Sequence, residues 1–251
     1  MRAAAEKAGR ALRRDFGEIE KLQVSQKGPG DFVTNADLKA ESIIREELQT
    51  ARPGYGFLME ESGEIEGSDK THRWIVDPLD GTTNFMHGIP YFAISIALER
   101  EGRLVAGLIY NPVTDEIFFA ERGQGAFSHN TRLRVGGRNR LSEAVFACGA
   151  PHGERAGRAE FITEMETLLP KVAGIRRFGA AALDLAFVAA GRIDGYWERG
   201  LAPWDVAAGI VICREAGGLV SDLKNGSKIF ETGNIVAANE ALHGDLLKNL
   251  A

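Results

Sequence analysis

With 251 residues, a formal charge of −5, 44% apolar and 26% charged side chains, the chain has the composition of a globular protein large enough for a substantial core. The negative balance offers no basic footprint for nucleic acid or an anionic membrane, and no apolar run reaches membrane-spanning length. Two cysteines without metal-ligand spacing and five unpaired histidines argue against a zinc site and for buried thiols in a reducing compartment.

Residues 2–16 form an amphipathic helix pattern with Ala4, Ala8, Leu12 and Phe16 on one stripe. Its charged start lacks the apolar centre of a signal peptide, so the cytoplasm is the expected compartment. Leu22–Ser25 alternates as a short strand, and Lys27–Asp31 reads as a loop. A second helix is predicted over 35–51, with Leu38, Ile43, Ile44 and Leu48 inward and a stop at Arg52-Pro53-Gly54. Phe57–Met59 is a strand delivering Glu60 and Glu61; residues 62–71 are polar loop; Trp74–Val76 is a buried strand. Three strands at 91–100, 103–110 and 115–121, joined by turn-like Glu101-Gly102 and Asn111–Thr114, predict an antiparallel meander. Gly136-Gly137 is the expected boundary between residues 1–137, an α+β unit, and 138–251, an α/β unit. Beyond it, strands are predicted at 144–148, 195–198 and 235–238, and helices at 154–169, 178–190, 203–217 and 240–249.

The segment Trp74-Ile75-Val76-Asp77-Pro78-Leu79-Asp80-Gly81-Thr82-Thr83-Asn84-Phe85 concentrates the chemistry. An apolar strand runs into two aspartates and then a Gly-Thr turn where a helix could begin. Carboxylates hold hard divalent cations, and N–H groups at a helix start hold phosphate. Alone, Asp80-Gly81-Thr82 could be a helix cap, Glu60-Glu61 reads as solvated surface, and Trp204-Asp205 as core plus cap. The EF-hand alternative fails because Gly88 stands where that loop needs its bidentate glutamate. Four acidic positions, Glu60, Asp77, Asp80 and Asp205, each at the edge of an element, would repel one another in one cleft unless a cation lay between them. Oxygen-only donors favour Mg²⁺, or Mn²⁺, over zinc.

Taken together and in order, Asp31–Asp37, Glu60-Glu61-Ser62, Asp77–Phe85, Phe178–Ala182, Tyr196-Trp197-Glu198, Trp204–Gly209 and Glu215–Gly218 make nearly the whole chain resemble the inositol monophosphatase family, the lithium-sensitive, magnesium-dependent superfamily. The resemblance implies a layered α-β-α-β-α sandwich of the sugar phosphatase type and a phosphomonoesterase acting on myo-inositol 1-phosphate or a related small polyol phosphate. It leaves fructose 1,6-bisphosphate, histidinol phosphate and NADP open as substrates, and also a regulatory, macromolecule-binding role.

It further implies one ion on Glu60, Asp77 and the Leu79 carbonyl, a second on Asp77, Asp80 and Asp205, and a weaker third near Glu60. By the same similarity, Thr82 and Glu60 orient the attacking water, and Asp37 accepts from the Thr82 hydroxyl. The N–H groups of Gly81 and Thr82 hold phosphate; at Gly81 a Cβ would crowd the ester. Asp80, Glu198 and the backbone of Gly179, Ala180 and Ala181 face the polyol. Ala180 departs from the family's usual hydroxyl residue, and Met59 from its usual glycine. A homodimer is expected from the family alone.

Overall fold

The computed structural model describes residues 1–18, 24–28, 31–151 and 156–250, and of 24–28 and 31–33 only the backbone. Leu22, Gln23, Pro29, Gly30 and the start of the helix expected from 154 lie outside these. The chain opens with α1 (Arg2–Phe16), a hairpin of β1 (Val24–Gly28) and β2 (Asp31–Thr34), and α2 (Asn35–Ala51). β3 (Tyr55–Met59), β4 (Gly63–Ile65) and β5 (Asp69–Asp80) follow, then the short α3 (Thr82–Met86). The predicted meander is β6 (Ala93–Arg100), β7 (Arg103–Asn111) and β8 (Glu116–Glu121), extended by β9 (Gly125–Ser128) and β10 (Thr131–Arg132). The later half supplies β11 (Val145–Cys148), α4 (Arg158–Leu168), β12 (Gly174–Arg176), α5 (Ala181–Ala189), β13 (Gly195–Glu198) and α6 (Pro203–Glu215). It ends with β14 (Leu219–Ser221), α7 (Ile229–Thr232), β15 (Ile235–Ala238) and α8 (Glu240–Lys248).

Two sheets organise the molecule. One has eight strands in the order β10-β9-β8-β7-β6-β5-β3-β4; the other has five, β12-β11-β13-β15-β14. Between them lie α5 and α6, whose alanine-rich surfaces are buried on both sides with Ile75, Ile109 and Phe118 from the first sheet and Tyr196 and Ala237 from the second. Outside the first sheet, Ala4, Ala8 and Leu12 of α1 and Ala40, Ile44 and Leu48 of α2 pack on Trp74, Val76 and Ile96. Outside the second, Leu168 of α4 and Leu242 and Leu246 of α8 cover Phe146, Trp197 and Val236. This is the expected α-β-α-β-α sandwich, held by burial of one face of each outer helix, of both sides of α5 and α6, and of both faces of each sheet. No described helix is long and apolar enough to cross a membrane.

Several local expectations need correction. Lys27, Gly28 and Asp31 belong to the antiparallel strands β1 and β2 rather than to a loop, because pairing overrides the local Gly/Pro signal. The polar stretch 62–71 contains β4 and the start of β5, because cross-strand pairing overrides a polar composition at a sheet edge. Leu38 is 51% exposed rather than inward. The buried stripe of α2 instead runs through Asp37, Ala40, Glu41, Ile44 and Leu48, since its two acids turn inward to hold neighbouring loops. The helix expected from Phe178 starts at Ala181, after Gly179 at φ +89° and an extended Ala180. Both cysteines are buried and unpaired, as expected.

Candidate active site

The acidic residues are brought together by a strand irregularity. Across β5 and β6, Asp77 pairs with Ser95 and Asp80 with Ala93, so three steps on one strand match two on the other. That extra residue is a β-bulge at Pro78-Leu79, a position that tolerates proline's missing N–H. In a regular strand, residues three apart point to opposite faces; the bulge returns Asp80 to the side of Asp77. β3 lies parallel beside β5 with Met59 opposite Val76, and the Glu60 N–H donates to the Val76 carbonyl at 3.2 Å. Glu60 therefore leaves its strand level with Asp77. Asp205 arrives from the first turn of α6, where it accepts from the Ala202 N–H at 2.7 Å.

Electrostatics records the convergence. Burial pushes the Asp77 carboxyl well above the usual range, and the charges of Glu60, Asp80 and Asp205 push it further. Asp80 is raised likewise by burial and then by Asp205, with Asp184 and Glu198 adding to it, while the Ala182 N–H opposes at 2.7 Å. The largest interactions on Asp77 are thus all with other acids, an arrangement that a divalent cation would relieve. Among the described residues no group of three or more acidic, histidine or cysteine side chains is placed so that it could hold a metal ion as it stands. Asp77 accepts from the Leu79 N–H at 2.8 Å, and Asp80 and Asp205 each give one oxygen to a helix N-terminus. The donor set, one buried and three half-buried carboxylates with no thiolate or imidazole, fits in its chemistry a hard cation such as magnesium.

Beside the acids the chain turns into α3. Gly81 sits at φ +94°, and a Cβ there would meet the Tyr91 carbonyl at 3.1 Å and the Ala180 and Phe92 side chains at 3.2 Å. Glycine is therefore needed for the turn itself and for close packing, a reason nearer than the crowding of an ester. At the head of α3, the first N–H groups have no acceptor within their own helix. The Thr82 hydroxyl lies 3.0 Å from both Asp37 Oδ1 and the Leu79 carbonyl. Asp37 is buried; its Oδ2 accepts the Thr34 N–H at 2.9 Å and the Thr34 hydroxyl at 2.6 Å, closing a capping box at the start of α2. Burial raises the Asp37 pKa, and hydrogen bonds from Thr34 and Thr82 hold it down.

The wall opposite comes from the second half of the chain. Ala180 is buried and caps α5, and Asp80 is pinned to the start of that helix through Ala182. Glu198 ends β13 and interacts with Asp80. Thus the charges of Glu60, Asp80 and Asp205 all act on Asp77, Thr82 meets Asp37 and Leu79, Ala180 lies against Gly81, and the start of α5 after Ala181 and Glu198 reach Asp80 from the far side.

Sequence reasoning missed four supporting residues. Glu41 of α2 accepts from the Glu61 N–H at 2.9 Å and binds the Ser62 hydroxyl, fixing the turn that carries Glu60. Asn84 donates to the Tyr91 and Phe178 carbonyls, both at 2.8 Å, tying α3 to the loop before α5. Tyr91 donates to the buried Asp184 at 2.8 Å. An acid on the buried stripe of α2 was the one available signal; the others depend on long-range contacts.

Comparison with known proteins places the fold and the family. The profile of the inositol monophosphatase family matches residues 1–251. The chain is 60% identical over 248 residues to an inositol-1-monophosphatase of Mesorhizobium japonicum, covering 99% of this chain and 93% of that protein. It is 45% identical to the Nus factor SuhB of Vibrio cholerae, over 94% of this chain and 88% of that one. The solved structure of the extragenic suppressor protein suhB from Bartonella henselae superimposes with a TM-score of 0.98 at 58% identity, covering 100% and 96% of the two chains. With a full-length profile match, high identity throughout and a matching fold, this chain belongs to the inositol monophosphatase family, a family of metal-dependent phosphatases.

Proposed function

We propose that this phosphatase hydrolyses myo-inositol 1-phosphate, or a small polyol phosphate like it, with magnesium. The observation that carries the reading is the bulge-driven meeting of Asp77 and Asp80 with Glu60 and Asp205 beside the Gly81-Thr82 turn. Glu60, Asp77 and the Leu79 carbonyl would hold one ion; Asp77, Asp80 and Asp205 a second; a weaker third would lie near Glu60, and Mn²⁺ would also suit. When bound, such ions supply a water of lowered pKa and offset charge on the leaving oxygen.

The chain's own residues do the rest. With the Thr82 proton directed to Asp37, the hydroxyl's lone pairs are free to accept from the attacking water, which Glu60 orients from the other side. The N–H groups of Gly81 and Thr82 hold phosphate oxygens. Water then attacks phosphorus directly, without a phosphoenzyme. Cysteine is an unsuitable nucleophile here: burial pushes the Cys148 and Cys213 thiols up to about 12, with Glu198 adding to the effect at Cys148. Glu198, Asp80 and the backbone of Gly179–Ala181 present acceptors and donors to the polyol hydroxyls. In this reading residues 1–137 carry most of the metal ligands, and 138–251 carry Asp205 and the substrate contacts.

A substrate panel tests the reading. Inositol 1-phosphate should give the highest kcat/KM against fructose 1,6-bisphosphate, histidinol phosphate and NADP, and only with Mg²⁺ present. A far better rival ester would replace the substrate assigned here. Glu198→Ala should lower kcat/KM for inositol 1-phosphate about tenfold to a hundredfold, as for a lost hydrogen bond to a charged group, while sparing esters with few hydroxyls. An equal loss on every ester would argue against a specificity role.

The likeness to a protein named a Nus factor supports a second reading, a regulatory role with a macromolecular partner. Partner binding without any phosphate release in Mg²⁺ would favour it. A soluble cytoplasmic homodimer is the expected assembly; sedimentation at a mass near 27 kDa, that of one chain, would refute the dimer.

A further inference from the structure

Glu198 is held by more than its own strand. Tyr196 lies two residues earlier on β13, on the same face of the sheet, and is completely buried. Its hydroxyl donates to Glu198 Oε2 at 2.5 Å, the short distance typical of a hydroxyl bound to an ionised acceptor. The neighbouring strand β11 ends at Cys148, opposite Trp197, and the Gly149 N–H continues the pairing with the Trp197 carbonyl at 3.1 Å. A Cβ built on Gly149 would fall 1.7 Å from Glu198 Cδ and about as close to both carboxylate oxygens, at 1.9 and 2.2 Å.

Gly149 is absent from the glycines with positive φ, so its backbone would accept a side chain. The three atoms nearest to such a side chain all belong to the Glu198 carboxylate. Glycine at this position therefore makes room for that carboxylate.

We propose that Tyr196 and Gly149 are positioning residues that fix the Glu198 carboxylate, and thereby set which polyol the site selects. This rests on the assignment of Glu198 as a polyol contact. The Tyr196 bond fixes Oε2, and with it the plane in which the carboxylate meets a substrate hydroxyl. A carboxylate held by the Tyr196 hydrogen bond in a shaped gap loses little rotamer freedom on binding, so its preference among hydroxyl arrangements is sharp. Burial and the Glu198 charge raise the Tyr196 pKa, so the phenol remains a donor throughout the working range.

The test is the ratio of kcat/KM for inositol 1-phosphate to that for glycerol 2-phosphate, a small acyclic ester. Tyr196→Phe should lower that ratio about tenfold, chiefly through KM for the inositol ester, with kcat for glycerol 2-phosphate kept. Gly149→Ala should do the same from the other strand, and it should fold, because the obstacle it meets is the end of a flexible side chain. Combined with Glu198→Ala, neither substitution should lower the ratio further, since both act through that carboxylate.

An unchanged ratio in folded Gly149→Ala and Tyr196→Phe, with Glu198→Ala still shifting it, would overturn the proposal and leave the role of Glu198 standing. A lower melting temperature alone in Tyr196→Phe would mean a merely structural bond. An unchanged ratio in Glu198→Ala would remove the underlying assignment and the proposal with it.

Discussion

Asp205→Asn should lower kcat/KM by at least about a hundredfold, and Asp80→Asn by a similar factor, because each removes one charge from a set of carboxylates that would hold catalytic metal. The geometry makes this a clean experiment. Asp205 accepts the Ala202 N–H and Asp80 the Ala182 N–H, both at 2.7 Å, and an asparagine carbonyl can accept the same bonds. The caps of α6 and α5 should therefore survive. Neutralising one of several mutually repelling acids also relieves repulsion, so the metal-free variants should melt no lower than the parent. The rise in melting temperature on adding Mg²⁺ should shrink in parallel with activity. Near-normal turnover at saturating Mg²⁺ would remove these two residues from the metal site. A collapse in stability without metal would show that the caps, rather than the charges, were lost.

The second large effect is expected far from the chemistry. Gly107 on β7 faces α6, where an added Cβ would lie 2.6 Å from the Ala208 carbonyl oxygen and 2.9 Å from its Cα. These are backbone atoms of a buried helix and cannot rotate aside. Gly107→Ala should force α6 away from the eight-stranded sheet, an overpacking cost of about 3 kcal/mol, lowering Tm by about 6–12 °C for a chain of this size. Asp205 lies on that same helix, three residues before Ala208, so surviving folded protein should also need more Mg²⁺ for half-maximal activity. Calorimetry and a metal titration would check both. An unchanged Tm would mean that β7 and α6 are not in such close contact.

The same kind of contact explains where reading by pattern succeeds and fails. Helix α1 is predictable from Ala4, Ala8, Leu12 and Phe16 because one-sided burial writes a 3.6-residue period into the chain. The meander β6–β8 is predictable because strands and turns alternate locally. Strands β4, β12 and β14 escape notice: each has only three residues, too few to show a period, and β12 and β14 pair with strands well separated from them in sequence. Leu38 misleads because hydrophobicity suggests an inward face, whereas the buried acids Asp37 and Glu41 have hydrogen-bond partners inside and fix the rotation of α2.

For the site, the chain alone settles its chemical vocabulary. It names the acids, places each at the end of an element, puts a Gly-Thr turn beside two of them, and supplies no thiolate or imidazole to compete. These are matters of residue type and local order. What it could not settle is which face each acid takes. Asp77 and Asp80 share a side only because a residue is inserted against β6, and Glu60 joins them only because β3 runs parallel to β5 in a register that sets Met59 beside Val76. Strand register and bulges depend on pairing partners distant in the chain, and a single-residue slip would send these carboxylates to opposite sides of the sheet. The support of Glu198 is of the same kind, since a gap at Gly149 and a phenol at Tyr196 acquire meaning only when β11 and β13 lie side by side.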